Sequence, residues 1–239
     1  MLSFPRFLVA AVAVLVVVAA AAAAGWWFFI REDNKLATTV PAVPANLQQT
    51  PGTAAATGGA LAFQIVPANS EADYFADEKL ASLPLPSTAK GSTHDIAGTL
   101  FLTPDGLQLN PTQPSKFTVN LTTLTSDKSQ RDRRVQTQAL ETGQYPTATF
   151  TAKSVTGYDP SKAAGDEQAL KLTGTMDLHG VQKEITWDVK ARRQGNVITA
   201  LATVNFKYAD FNIPILNIAN FVSVQDNVTL QVQIVAQAG

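Results

Sequence analysis

The second half of the chain alternates apolar and polar residues with a period of two. Leu170, Leu172, Gly174, Met176 and Leu178 interleave with Lys171, Thr173, Thr175 and Asp177, which puts every polar side chain on one face of a strand. Ile185, Trp187, Val189 and Ala191 then alternate with Glu184, Thr186, Asp188 and Lys190. Ile198, Ala200, Ala202, Val204, Phe206 and Tyr208 repeat the pattern, and Val228, Leu230, Val232 and Ile234 oppose Thr229, Gln231 and Gln233. Gly180 and Gly195-Asn196 fall between the first three runs at turn positions, so these runs predict an antiparallel meander. Weaker strand patterns at 62–66, 72–80, 93–103, 117–125 and 147–155 bring the count to about eight or nine. One short helix is predicted over 131–140, capped by Ser126 or Asp127 with Gln130 in capping-box spacing, and stopped by Gly143 and Pro146.

Eight or so one-faced strands have many apolar side chains to hide, and one short helix cannot cover them. The sheet must therefore cover itself, as a closed barrel or a sandwich. A barrel of about eight strands is either filled by its own side chains or shaped around one small ligand. Ala200, Ala202, Gly98 and Gly174 leave little side-chain volume on inward rows, which favours a cavity. Small residues facing large ones across a solid core fit the same pattern.

The front of the chain follows a different rule. Residues 7–30 form 24 consecutive positions without a charge, ending Trp26-Trp27-Phe28-Phe29-Ile30. As a helix this run is roughly 36 Å long, enough to cross a hydrocarbon core of about 30 Å. It reads as a single transmembrane signal anchor behind a short leader, 1–6. A cleaved signal peptide is the rival reading, but the apolar run continues past the alanines and the paired tryptophans suit an interfacial belt. Residues 36–60 hold 25 uncharged positions, among them 7 Ala, 5 Thr, 3 Pro and 3 Gly. Residues 31–60 therefore read as a flexible linker, and 61–238 as the folded domain.

Composition narrows the chemistry. Among 239 residues, 18 Lys and Arg balance 19 Asp and Glu, giving a net charge of −1 that supplies no field for nucleic acid. The absence of cysteine excludes disulfides and thiol nucleophiles, and two histidines cannot build a multi-histidine metal site. No nucleophile elbow or His–acid arrangement surrounds the serines, so no catalytic residue is assigned.

The run Ser92-Thr93-His94-Asp95-Ile96-Ala97-Gly98 begins an ordered set of short motifs. It continues through Leu121 to Ser126 and Arg131-Asp132, Tyr145-Pro146-Thr147-Ala148-Thr149-Phe150, Leu172-Thr173-Gly174-Thr175-Met176-Asp177-Leu178-His179-Gly180-Val181, and Asp210-Phe211. In this order the motifs resemble the YceI-like family of extracytoplasmic, lipocalin-like barrels that bind polyisoprenoid lipids. The resemblance implies an all-β, eight-stranded antiparallel barrel around an apolar tunnel and a binding role without catalysis; such binding requires no cofactor, and no metal is assigned. The chain departs from the family pattern in its longer anchor and tether, and in the acidic segment Ser70-Glu71-Ala72-Asp73-Tyr74-Phe75.

On this reading the protein is a single-pass cell-membrane protein whose C-terminal domain faces the extracytoplasmic side, with 7–30 in the membrane. Its partner is an isoprenoid lipid, a polyprenyl phosphate or a quinone-type tail. The expected tunnel lining is Ile96, Leu100, Phe117, Val119, Phe150, Leu172, Met176, Trp187, Val189, Ala202, Val204, Phe206 and Leu230. Sequestering roughly 400 Å² of lipid chain corresponds to on the order of 10 kcal/mol before ordering costs. Arg131, His94 and His179 are candidate head-group contacts, Arg131 because a guanidinium grips phosphate bidentately. A solvated helix face is the alternative for the cluster Arg131, Arg133 and Arg134. The apolar residues of 210–227, including Ile213, Leu216 and Phe221, are expected to cap one barrel end, line a portal or touch the bilayer. A solid-cored structural or adhesive domain, and an enzyme acting on a lipid head group, are the rival functions.

Overall fold

The computed structural model describes residues 34–48, 59–80, 87–216 and 222–238. The leader and the expected membrane segment, 7–30, lie outside the described residues. Among the described residues no helix is long and apolar enough to cross a membrane.

The alternating rows build one antiparallel sheet that closes on itself. In chain order the described strands are β1 (Leu61–Ile65), β2 (Glu71–Leu80), β3 (Ser87–Thr93), β4 (Ile96–Leu102), β5 (Lys116–Asn120), β6 (Thr125–Ser126), β7 (Thr147–Thr156), β8 (Gln168–Leu178), β9 (Val181–Gln194), β10 (Val197–Phe206) and β11 (Val222–Ala238). β1 pairs with β4 and β2 with β3, while β5 pairs with β4 and β6 with β3. Hence β1–β2, β3–β4 and β5–β6 are each one long strand broken near its middle. The ladder then runs β5–β7–β8–β9–β10–β11, and β11 closes it by pairing with both β2 and β1. Counted as continuous ribbons these make the expected eight-stranded up-and-down barrel.

The three breaks lie side by side and are stitched together by side chains. Between β1 and β2, Pro67 starts a single turn, and the Ser70 hydroxyl accepts from the Val235 N–H at 3.0 Å, supplying a bond the interrupted ladder lacks. His94, at the β3–β4 break, donates from Nδ1 to the Ser70 carbonyl at 2.7 Å. Thr93 shares a hydroxyl hydrogen bond of 2.7 Å with Thr123, in the turn between β5 and β6. Asn120 Nδ2 donates to Asp95 Oδ2 at 2.7 Å. The sequence predicts 93–103 as one strand; the structure interrupts it at His94-Asp95 and adds the unpredicted run Ser87–Thr93, whose polar residues conceal its alternation.

The predicted turns hold their places. His179 and Gly180 both have positive φ, +53° and +73°, in the two-residue hairpin between β8 and β9, the geometry whose twist matches the flanking strands. Gly195 at +59° does the same between β9 and β10.

Two expectations need correction. The helix is shorter and capped differently: it spans Ser129–Arg134, passes into a wider π-type turn over Val135–Ala139, and has Lys128 at its N-cap without a side-chain cap. Instead Asp132 reaches back, its Oδ1 accepting from the Ser126 N–H at 2.8 Å, while Asp127 pairs with Arg131. The second correction concerns the linker. Residues 34–48 lie along the outside of the barrel, where Val43 packs with Val197 and Val235 and Val40 is buried. Lys190 Nζ donates to the Thr38 carbonyl and Asn34 Nδ2 to that of Thr88. The outward faces of β10 and β11 carry enough apolar and amide surface to hold a segment that has no core of its own.

Candidate functional site

Because inward rows of all eight ribbons meet, the barrel interior is lined by apolar side chains, and they do not fill it. A continuous cavity of about 910 Å³ runs through it, at the upper end of the ~300–1,000 Å³ common for small-molecule sites. The solid-core alternative is therefore set aside.

The expected lining is almost entirely in place. Ile96, Leu100, Phe117, Val119, Phe150, Leu172, Met176, Trp187, Val189, Ala202, Phe206 and Leu230 all face the cavity. Val204 does not border it; it is buried in the core cluster that forms the wall. Ala200 and Ala202 open the interior as anticipated, whereas Gly98 and Gly174 do something else. The space beside each is taken by a phenylalanine of the neighbouring strand: a Cβ on Gly174 would stand 2.6 Å from the Phe150 ring, and one on Gly98 2.9 Å from that of Phe117. These glycines let aromatic rings lie flat in the wall, so they shape the cavity without enlarging it.

The segment after β10 lies at one barrel end. Tyr208–Phe211 makes a single turn, Phe211 and Ile213 are buried in the main core, and Ile213, Pro214 and Leu216 border the cavity. Burial of Phe211 and Ile213 fits a cap, and the contact of Ile213, Pro214 and Leu216 with the cavity fits a portal lining equally well; Ile218 and Phe221 lie outside the described residues.

The polar groups of the cavity gather at the end beside the helix. β2 turns Ala72, Tyr74, Ala76 and Glu78 inward, and Glu78 is buried. Arg131 reaches it from the helix, its Nη2 donating to Glu78 Oε1 at 2.6 Å while Nη1 donates to Asp127. Burial works against the Arg131 charge, but Glu78 and Asp127 outweigh it and hold the guanidinium above its ordinary value. Tyr74 and Tyr208 also border this end. Burial pushes the Tyr208 phenol up to about 12, with the Glu78 charge adding to the effect, and carries Tyr74 higher still.

Of the three head-group candidates only Arg131 meets the cavity. His94 is committed to the seam between strand breaks. His179 is buried in the β8–β9 hairpin, with Nδ1 at 3.2 Å from the Phe211 carbonyl, Nε2 at 3.0 Å from Glu141 Oε2, and Tyr145 packed edge-on against its ring. Both histidines brace the barrel away from the lining. Arg133 and Arg134 are exposed, as the solvated-face alternative has it. Sequence reasoning missed Tyr74, Glu78 and Tyr208. The available signal was the alternation Ala72, Tyr74, Ala76, Glu78, obscured because the opposite row, with Asp73 and Phe75, is buried too.

Comparison with known proteins gives a consistent answer. Residues 63–236 match the model of the YceI-like domain. The chain is 38% identical over 80 residues to Protein YceI of Escherichia coli O157:H7, a match covering 33% of this chain and 38% of that relative. It is 34% identical over 80 residues to Protein YceI of Salmonella arizonae, again covering 33% and 38%. These matches thus span well under half the length of those relatives. Among solved structures it resembles a polyisoprenoid binding domain from Saccharophagus degradans implicated in plant cell wall breakdown, with a TM-score of 0.57 and 16% identity over 74% of this chain and 98% of that one. BcnA of Burkholderia cenocepacia gives a TM-score of 0.53 at 16% identity, covering 72% and 99%. At such identities the structural likeness is one of fold. The chain belongs to the YceI-like family.

Proposed function

We propose that this YceI-like barrel binds the chain of an isoprenoid lipid inside its cavity and shields it from water. The observation that carries the reading is the apolar cavity of about 910 Å³ running through a closed barrel. Such a wall recognises a branched hydrocarbon by burial and dispersion alone. The role is binding without covalent chemistry. The polyisoprenoid binding named for the Saccharophagus degradans domain, which shares the fold, supports the same reading.

The proposal includes an anchored, extracytoplasmic arrangement, supported by the uncharged run 7–30. An anchored barrel stays within reach of a lipid that dissolves only in the bilayer. Native mass spectrometry of the full chain released from mild detergent tests the binding: an adduct with the mass of an isoprenoid is expected, and a protein that neither carries nor takes up one rules the reading out. Carbonate extraction of membranes and protease accessibility on intact cells or spheroplasts test the anchor and its orientation.

A further inference from the structure

We propose that the cavity selects an isoprenoid with an uncharged head of the quinone, quinol or phenol class, seated among Tyr74, Glu78 and Tyr208, and turns away prenyl phosphates and diphosphates. This rests on the isoprenoid reading above and goes beyond it to the head group.

Arg131 is already engaged. A guanidinium beside an apolar tunnel invites a phosphate, but here both terminal nitrogens are committed, Nη2 to Glu78 and Nη1 to Asp127. A phosphate approaching Arg131 has to displace a carboxylate or sit beside the buried one of Glu78, and like charges with little water between them repel strongly. Asp77 and Asp226 add to the negative field at Tyr208. The same geometry welcomes a neutral polar head. Both phenols bordering the cavity carry their protons at neutral pH, as tyrosines ordinarily do, and burial moves their ionisation further away, so they offer O–H donors to a quinone carbonyl. Glu78 offers a carboxylate to the hydroxyl of a quinol or phenol.

Two other sets of cations bear on this. Lys128 and Arg134 border the same end, but Arg134 is exposed and Lys128, also largely exposed, lies 3.5 Å from Asp127. They meet a head outside the barrel, where solvent screens them. At the opposite end Arg193 lies over the Phe63 ring at 5.0 Å, with its Nε donating to the Gly195 carbonyl. That is the competing seat for an anion.

The test uses delipidated full-length protein and three probes with equal four-isoprene tails: ubiquinone-4, geranylgeraniol and geranylgeranyl diphosphate. Affinity is read by quenching of tryptophan fluorescence, since Trp187 lines the cavity, and by native mass spectrometry under competition. Ubiquinone-4 and the alcohol are expected to bind at least about tenfold more tightly than the diphosphate, because specificity here comes from a built-in repulsion. Glu78→Gln narrows the gap by strengthening diphosphate binding, and Tyr208→Phe weakens ubiquinone-4. Equal or tighter binding of the diphosphate by the unaltered protein overturns the proposal without recourse to any variant. A diphosphate that binds well and is lost in Arg193→Gln overturns it by placing the head at the other end. Both results leave the isoprenoid reading standing, whereas binding of none of the three probes removes that reading and this one together.

Discussion

Gln231 clasps the peptide unit of Ala37 from both sides: its Oε1 accepts from the Ala37 N–H at 2.7 Å, and its Nε2 donates to the Ala37 carbonyl at 3.0 Å. The side-chain amide imitates one rung of a β-ladder. In doing so it fastens to the barrel a segment whose composition alone describes a spacer. The Thr203 hydroxyl accepts a further bond from the same Nε2 at 3.2 Å, so the buried Gln231 amide has partners from its own sheet and from the segment that covers it.

Replacing Gln231 by Leu removes both bonds and leaves the Ala37 peptide facing an apolar side chain. The expected loss is about 1–3 kcal/mol, the cost of stranding buried polar groups. Urea unfolding measures it, and hydrogen exchange locates it as faster exchange of the Ala37 amide. An unchanged exchange rate there contradicts the clasp.

Gly174→Ala forces a Cβ to within 2.3 Å of the Thr151 carbonyl oxygen and against the Phe150 ring. Neither the backbone of β7 nor a ring wedged in the wall yields easily, so a destabilisation of about 1–3 kcal/mol is expected. Gly143→Ala, with nothing within 4 Å of the added carbon, is the comparison, and its unfolding midpoint stays near that of the unaltered protein.

Alkaline pH weakens the fold through its buried phenols. Tyr208 ionises near 12 in the folded protein and near the ordinary value of 10 when unfolded. The unfolded chain therefore gives up its proton first. The stabilisation is complete below pH 10 and is lost as pH rises from there through about 12, at up to about 1.4 kcal/mol per pH unit. Unfolding free energies measured from pH 8 to 11.5 should show this fall, and Tyr208→Phe should lessen it.

Ala202→Phe puts a ring into the cavity from β10, where Ala202 borders the open space. Isoprenoid uptake is expected to drop by at least about tenfold while the unfolding free energy moves by no more than the ~1–3 kcal/mol of an overpacked site. Titration with ubiquinone-4 and a denaturant curve on the same preparation separate the two effects. Undiminished uptake by a folded variant shows that the lipid does not pass this level of the barrel.

The sequence by itself determined the strands whose two faces meet different surroundings. Along β8, β9 and much of β10 and β11, apolar residues turn to the cavity and mostly polar ones turn outward, so a period of two is visible and gives the register, the hairpins and nearly all of the lining. β2 resisted the same reading because its outward row, with Asp73 and Phe75, is buried while its inward row includes Glu78; neither face is purely apolar or purely wet. The ordering of 34–48 was also out of reach, since it depends on Val197, Gln231 and Val235 arriving together from strands far away in the chain. Only the tertiary structure decided whether the barrel is hollow. That outcome depends on how the inward side chains of all eight ribbons lie against one another, and volume left between side chains belongs to an arrangement in space, which no single residue encodes. The fate of Arg131 was decided in the same way: its position in the chain fixes its charge, but the carboxylate of Glu78, 53 positions earlier, fixes what that charge is free to bind.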